Sequence, residues 1–122
     1  MPVSAHSQLG RQGEDAAAAY LTGLGWRVLA RNWRGAHGEL DVIAHDGESV
    51  VFVEVKARRG AALEDAFARV DRRKQASLAL TAGEYLEAHD LADAPWRIDV
   101  IAVRFASGRA PEIEHVQDAL TW

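Results

Sequence analysis

Asp41 is followed thirteen residues later by Glu54-Val55-Lys56. Two carboxylates and an ammonium, brought together, can hold a hard divalent cation against a phosphate. Whether they meet depends on the chain between them. Asp46-Gly47 is a strong hairpin signal. A two-residue turn there pairs His45 with Glu48, Ile43 with Val50, Asp41 with Phe52 and Glu39 with Glu54. Alternation along strands then sets Glu39, Asp41, Glu54 and Lys56 on one face. Leu40, Val42, Ala44, Val51, Val53 and Val55 take the other, buried face.

Carboxylates grouped on one face repel, by some tenths of a kcal/mol per directly opposed pair. A divalent cation resolves that conflict. Magnesium suits a few carboxylates plus water and phosphate oxygens, and manganese can substitute for it. An ion on Asp41 and Glu54 would polarise a phosphodiester and acidify a bound water. Lys56 could orient that water or neutralise the phosphate. Glu-x-Lys alone is commonplace on solvated strands, where the pair is a weak salt bridge. Asp41 on the partner strand is what lifts it above that reading.

The elements that must position these residues are legible. Ser7 reads as the N-cap of a helix running to about Leu24, with Gly25 as its left-handed stop. Gly10 and Gly13 weaken its first turns and allow close approach to a neighbouring strand. Strands are predicted over 26–31, 39–45 and 49–58, with a loop at 34–38. Asp71 caps a second long helix over about 72–89, preceded by a short helix at 62–69. Trp96 to Phe105 forms a long apolar strand, central in the sheet. Ser107-Gly108 turns the chain into a last strand, Glu112 to Val116. The order predicts one α/β domain over 1–122, a sandwich around a mixed sheet.

The chain has no cysteine, which excludes disulfides and thiolate metal sites. The N-terminal residues lack an apolar signal core, and no apolar run reaches membrane-spanning length. A soluble, cytoplasmic protein with no membrane partner is the expectation. The formal net charge of −4 counts against a DNA-coating protein. Yet between Val55 and Gln75 seven basic residues oppose three acidic ones, a local charge of +4, so one face can be basic.

At this point the residues resemble the PD-(D/E)xK signature of restriction-endonuclease-like nucleases. Gly38-Glu39-Leu40-Asp41-Val42-Ile43 with Val51-Phe52-Val53-Glu54-Val55-Lys56-Ala57-Arg58 is similar to the YraN family of bacterial proteins. Gly13-Glu14, Ala17 and Tyr20-Leu21 match that family's first helix. Arg73-Lys74-Gln75 and Glu84-Tyr85-Leu86 match its second, and Arg97-Ile98-Asp99-Val100-Ile101 its late strand. The signature's proline is replaced by Leu40. The resemblance implies a restriction-endonuclease-like fold, similar to archaeal Holliday-junction resolvases. It implies magnesium on Asp41 and Glu54, with the Val55 carbonyl and Glu14 completing the site.

Glu14 also suits the start of any helix, through the macrodipole. Glu39 reads best as an acid supporting the ligands from behind. Arg34, Arg58, Arg59, Arg73, Lys74 and Gln75 are candidate phosphate contacts, the last two in a helix's first turn. Arg31 and Arg72 extend that group. His37 sits in the loop before the acidic strand. Trp33 and Trp122 could stack on bases, although core packing explains them as well. The five histidines lack zinc-ligand spacing.

The expectation is a metal-dependent endonuclease acting on DNA, in branched or damaged form. The alternatives are a non-catalytic module binding nucleic acid or protein, and a hydrolase of a small phosphorylated molecule. A homodimer is compatible with symmetric cutting of two strands.

Overall fold

The computed structural model describes residues 7–60 and 72–119. The expected helix at 62–69, the Asp71 cap, Arg69 and Trp122 lie outside the described residues. Helix α1 (Gln8–Gly23) leads into strands β1 (Arg27–Arg34), β2 (Glu39–His45) and β3 (Val50–Arg59). Helix α2 (Arg72–Ala88), β4 (Trp96–Phe105) and β5 (Glu112–Val116) follow. The strands form one sheet in chain order. Every neighbouring pair is antiparallel except β3 and β4, which are parallel. This α/β arrangement is compatible with a restriction-endonuclease-like fold. Among the described residues, no helix is long and apolar enough to cross a membrane.

Each face of the sheet buries its own cluster. Ala17 and Leu21 of α1 pack on Val42, Ala44, Val51, Val53, Ile101 and Val103. Leu78, Ala82, Tyr85 and Leu86 of α2 pack on Ile43, Val50, Phe52, Ile98 and Val100. With Thr81, the buried α2 residues recur at helical spacing, which is why this stretch folds as a helix. Trp33 packs against this second cluster, edge-on to Tyr85, so it serves the core.

Ser7 caps α1 as expected, its hydroxyl oxygen accepting the Gly10 N–H at 2.9 Å. Gly25 takes φ +90° just after the helix. Gly13 has a sharper role. A Cβ there would stand 2.7 Å from the Cβ of Ala57 on β3. The missing side chain lets α1 seat directly on β3 beside the candidate site.

The β2–β3 register differs from the two-residue turn expected. His45 pairs with Val50, Ile43 with Phe52 and Val42 with Val53. The cause is Asp46, whose Oδ1 accepts the N–H groups of Glu48 at 2.8 Å and Ser49 at 2.7 Å. That Asx-type turn spends four residues on the loop. Burial raises the Asp46 pKa, but these N–H groups and Arg97 outweigh it and bring the carboxyl down to about 2. A shift of two residues keeps every side chain on its face, but it moves the like-charge opposition. Glu39 does not face Glu54; it pairs with Arg34 of β1. Leu40 also departs from expectation, joining the α2-side cluster. The β2–β3 ladder ends at Val42, and the alternation breaks there.

On the α1 side, Asp99 of β4 is fully buried. Its carboxylate accepts from His115 Nε2 at 2.7 Å, Arg97 Nε at 3.0 Å and the Asp118 N–H at 2.9 Å. Burial opposes its ionisation, but these donors hold its pKa below the usual carboxylate range. Because a carboxylate only accepts, His115 Nε2 carries a proton. In the neutral ring Nδ1 then accepts from the Tyr20 hydroxyl at 3.1 Å. This chain ties α1, β4 and β5 together, and Arg97 extends it to Asp46 at 2.8 Å.

Seating α1 this tightly predicts a specific sensitivity. Gly13→Ala overpacks against Ala57 and destabilises the protein by about 1–3 kcal/mol. Ala57→Gly in the same chain recovers most of that loss, as urea unfolding of the single and double variants would show. Additive losses would mean that the two residues do not meet.

Candidate active site

In the observed register Asp41 would fall opposite Glu54. The backbone ladder stops one pair short, and the Asp41 side chain takes over. Its Oδ2 accepts the Val55 N–H at 2.9 Å. Asp41 is thus anchored to β3 beside Glu54, where β2 parts from β3 but stays paired with β1. Asp41 is half-buried and Glu54 is only 5% exposed.

Two lysines reach the same Glu54 oxygen, Oε2. Lys56 Nζ stands at 3.2 Å and Lys74 Nζ, from the first turn of α2, at 3.5 Å. The other oxygen, Oε1, is buried with no hydrogen-bond partner among the described residues. Glu14 of α1 is buried at 3% exposure, next in sequence to the glycine that seats the helix on β3. Its charge acts on Asp41.

These neighbours set the acidity of Asp41, whose pKa rises to about 8. Burial is the main cause, followed by the Glu54 charge and, more weakly, that of Glu14. The Val55 N–H and the Lys74 charge pull the other way. Burial and the Glu54 charge thus favour the protonated form of Asp41 when no cation is bound.

The loop that delivers β2 is clamped by α2. Glu84 accepts the N–H groups of Ala36 at 3.1 Å and His37 at 3.3 Å. The Ser77 hydroxyl donates to the His37 carbonyl at 2.7 Å. Gly38 fits beneath, where a Cβ would stand 2.7 Å from Ser77 Oγ. Thus α2 fixes both the entry to β2 and one cation at Glu54. The chain carried no local signal for the Glu84 clamp, because its partners are backbone groups of a distant loop.

The structure brings together Asp41, Glu54, Lys56 and Lys74, while buried Glu14 acts on Asp41 through its charge. Lys74, read from sequence as a phosphate contact, forms an ion pair with Glu54 at 3.5 Å. Glu39 forms an ion pair with Arg34 at 3.1 Å. Arg59 and Arg73 are exposed and Arg58 half-buried, with Arg58 Nη1 donating to the Ala57 carbonyl. Gln75 is half-buried in the first turn of α2. A hollow of about 520 Å³ is lined by Arg59, Gly60, Phe105, Ala106 and Ser107; of these only Arg59, a candidate phosphate contact, belongs to the site residues.

The donors present fit a hard divalent cation. Asp41 and Glu54 offer carboxylate oxygens, and the buried Glu54 Oε1 lacks a donor. Among the described residues, no three histidine or acidic side chains stand together as a ready-made cage. The lysines on Glu54 supply the balancing charge in this arrangement.

A profile of uncharacterised protein family UPF0102 matches residues 13–103, a span that contains every one of these site residues. The chain belongs to this family. It is the YraN-like group that the sequence resembles. The UPF0102 protein of Chloroflexus aurantiacus is 46% identical over 110 residues, 89% of each chain. That of Geobacter sulfurreducens is 43% identical over 123 residues, 98% of this chain and 96% of its own. That of Oleidesulfovibrio alaskensis is 45% identical over 92% of this chain. The present chain spans only 55% of that longer relative.

The raised pKa of Asp41 has a stability consequence. Between the ordinary value of 3.8 and about 8, the folded state binds more protons than the unfolded chain. Stability contributed by protonated Asp41 is therefore full below pH 3.8 and is lost as pH rises through 8. Thermal unfolding in chelator at pH 5, 7 and 9 is expected to show Asp41→Asn flattening that decline. The variant overtakes the unmodified chain at pH 9. Parallel curves for the two proteins would rule this account out.

Proposed function

We propose that this chain is a metal-dependent endonuclease hydrolysing DNA phosphodiester bonds, with branched or damaged DNA as its substrate. The observation that carries the reading is the anchored Asp41–Glu54 pair with Lys56 at 3.2 Å from Glu54. Buried like charges are costly unless something compensates them, and the donor set suits magnesium or manganese.

Asp41 and Glu54 would hold the ion, joined by Glu14 and the Val55 carbonyl as the family resemblance implies. When bound, such an ion polarises a phosphodiester and lowers the pKa of a water. Lys56, 17% exposed on its strand, has the reach and charge to orient the attacking water or to neutralise the phosphate. Glu39, held by Arg34, supports β2 where it parts from β3. Arg34, Arg58, Arg59, Arg73 and Gln75 line a track for backbone phosphates, which fixes position without reading sequence.

A non-catalytic binding module is the rival. It gains from the observation that both lysines already neutralise Glu54. A nuclease assay on linear, nicked, single-stranded and four-way DNA separates the two, run with magnesium, manganese and chelator. Cleavage is expected to need metal. In Asp41→Ala it falls by more than the ~10–100-fold typical of losing a group behind a metal ligand. Equal cleavage by the variant would remove Asp41 from the chemistry. Metal-independent DNA binding without cleavage by either protein would leave the binding module standing.

A further inference from the structure

Lys74 and Lys56 share one oxygen of Glu54 but differ in how firmly they are held. Lys56 lies on β3 itself, two residues from Glu54, and is 17% exposed. Lys74 comes from a separate element, in the first turn of α2, and is 41% exposed. Its four-carbon stem can carry the ammonium away at little cost. Glu54 cannot move aside, since it is buried in the sheet.

From this geometry we infer that Lys74 is the metal's stand-in: a divalent cation and the Lys74 ammonium compete for the Glu54 carboxylate, and metal entry releases Lys74 to a phosphate of the nucleic acid. The inference rests on the proposed metal site and adds its regulation. A divalent ion at this carboxylate adds its repulsion to that already present between the two ammoniums, and Lys74, the more exposed of the two and on a separate element, is the one displaced. Once released, Lys74 stands beside Arg73 in the first turn of a seventeen-residue helix. There the helix dipole favours an anion. A polyanion that holds Lys74 in turn vacates Glu54 for the ion. Metal and nucleic acid therefore bind cooperatively, each raising the affinity for the other by the same factor. In the metal-free protein Lys74 stays on Glu54, and the phosphate track lacks one cation.

The test is manganese binding to the full chain by calorimetry, without DNA, for the unmodified protein, Lys74→Met and Arg73→Met. Arg73 bears a similar charge nearby and reports the general field effect. Lys74→Met is expected to tighten manganese about tenfold and Arg73→Met about twofold, since only the first removes a competitor in contact. A second readout uses a phosphorothioate duplex that resists cleavage. Manganese raises duplex affinity in the unmodified protein, and Lys74→Met abolishes that gain.

Equal manganese affinity in the unmodified and Lys74→Met proteins would overturn the inference and leave the metal site standing. Weaker binding in Lys74→Met would also overturn it, making Lys74 a support of the ligands. If no variant binds manganese at millimolar concentration, the metal site falls and the inference falls with it.

Discussion

Asp41 and Glu54 meet where two strands part, in surroundings that supply too little water to keep both charged. Asp41 would fall opposite Glu54 in the register, and its carboxylate holds the Val55 N–H that the ladder would otherwise have paired. That bond fixes the aspartate while its environment discourages its charge. Much of the nearby structure compensates for this conflict. Lysines approach from β3 and α2, and the protonated form of Asp41 is favoured when no stronger cation is present. A site of this kind is costly in stability, as expected where a sequence breaks a local rule for function.

The two helices address the pair from opposite faces of the sheet. On one side Gly13 removes the spacing a side chain would impose, and α1 brings Glu14 into the protein interior. On the other, α2 uses Glu84 and Ser77 to grip the loop ahead of β2, and sends Lys74 to Glu54. The apolar clusters make both dockings stable. The polar clamps make them specific in register, because a helix turned or slid along the sheet would lose its partners.

The strands were legible because their apolar runs are long and their boundaries carry turn residues. β2, β4 and β5 fall where periodicity and the Ser107-Gly108 turn put them. Ser7, Gly13 and Gly25 were legible for a similar reason, since capping and close approach leave residue-type signatures. The hairpin register was not. Asp46-Gly47 suggests a two-residue turn, and the outcome depended on which backbone groups the Asp46 carboxylate would accept. The even shift preserved the faces, so Asp41, Glu54 and Lys56 stayed together although the expected Glu39–Glu54 opposition was wrong. Leu40 was missed because alternation fails where a strand leaves its neighbour. The position of Lys74 was hidden because helix pitch gives a face, not the strand residue that the face will meet. The Asp99–His115–Tyr20 chain joins residues far apart in sequence, and no spacing rule finds such contacts.

The parallel ladder between β3 and β4 bears on the order in which the molecule assembles. β1, β2 and β3 can zip together through loops of four residues, on the timescale of hairpins. β4 must travel from beyond α2 before Glu54 aligns with Val100, a non-local closure that pays chain entropy before any contact rewards it. The acidic residues therefore remain hydrated through the early meander, and the cost of drying them falls on the late step, when the helices dock. Pulsed hydrogen exchange would register this as protection of β2–β3 amides ahead of those in β4. The reverse order would place the parallel pair in the folding nucleus.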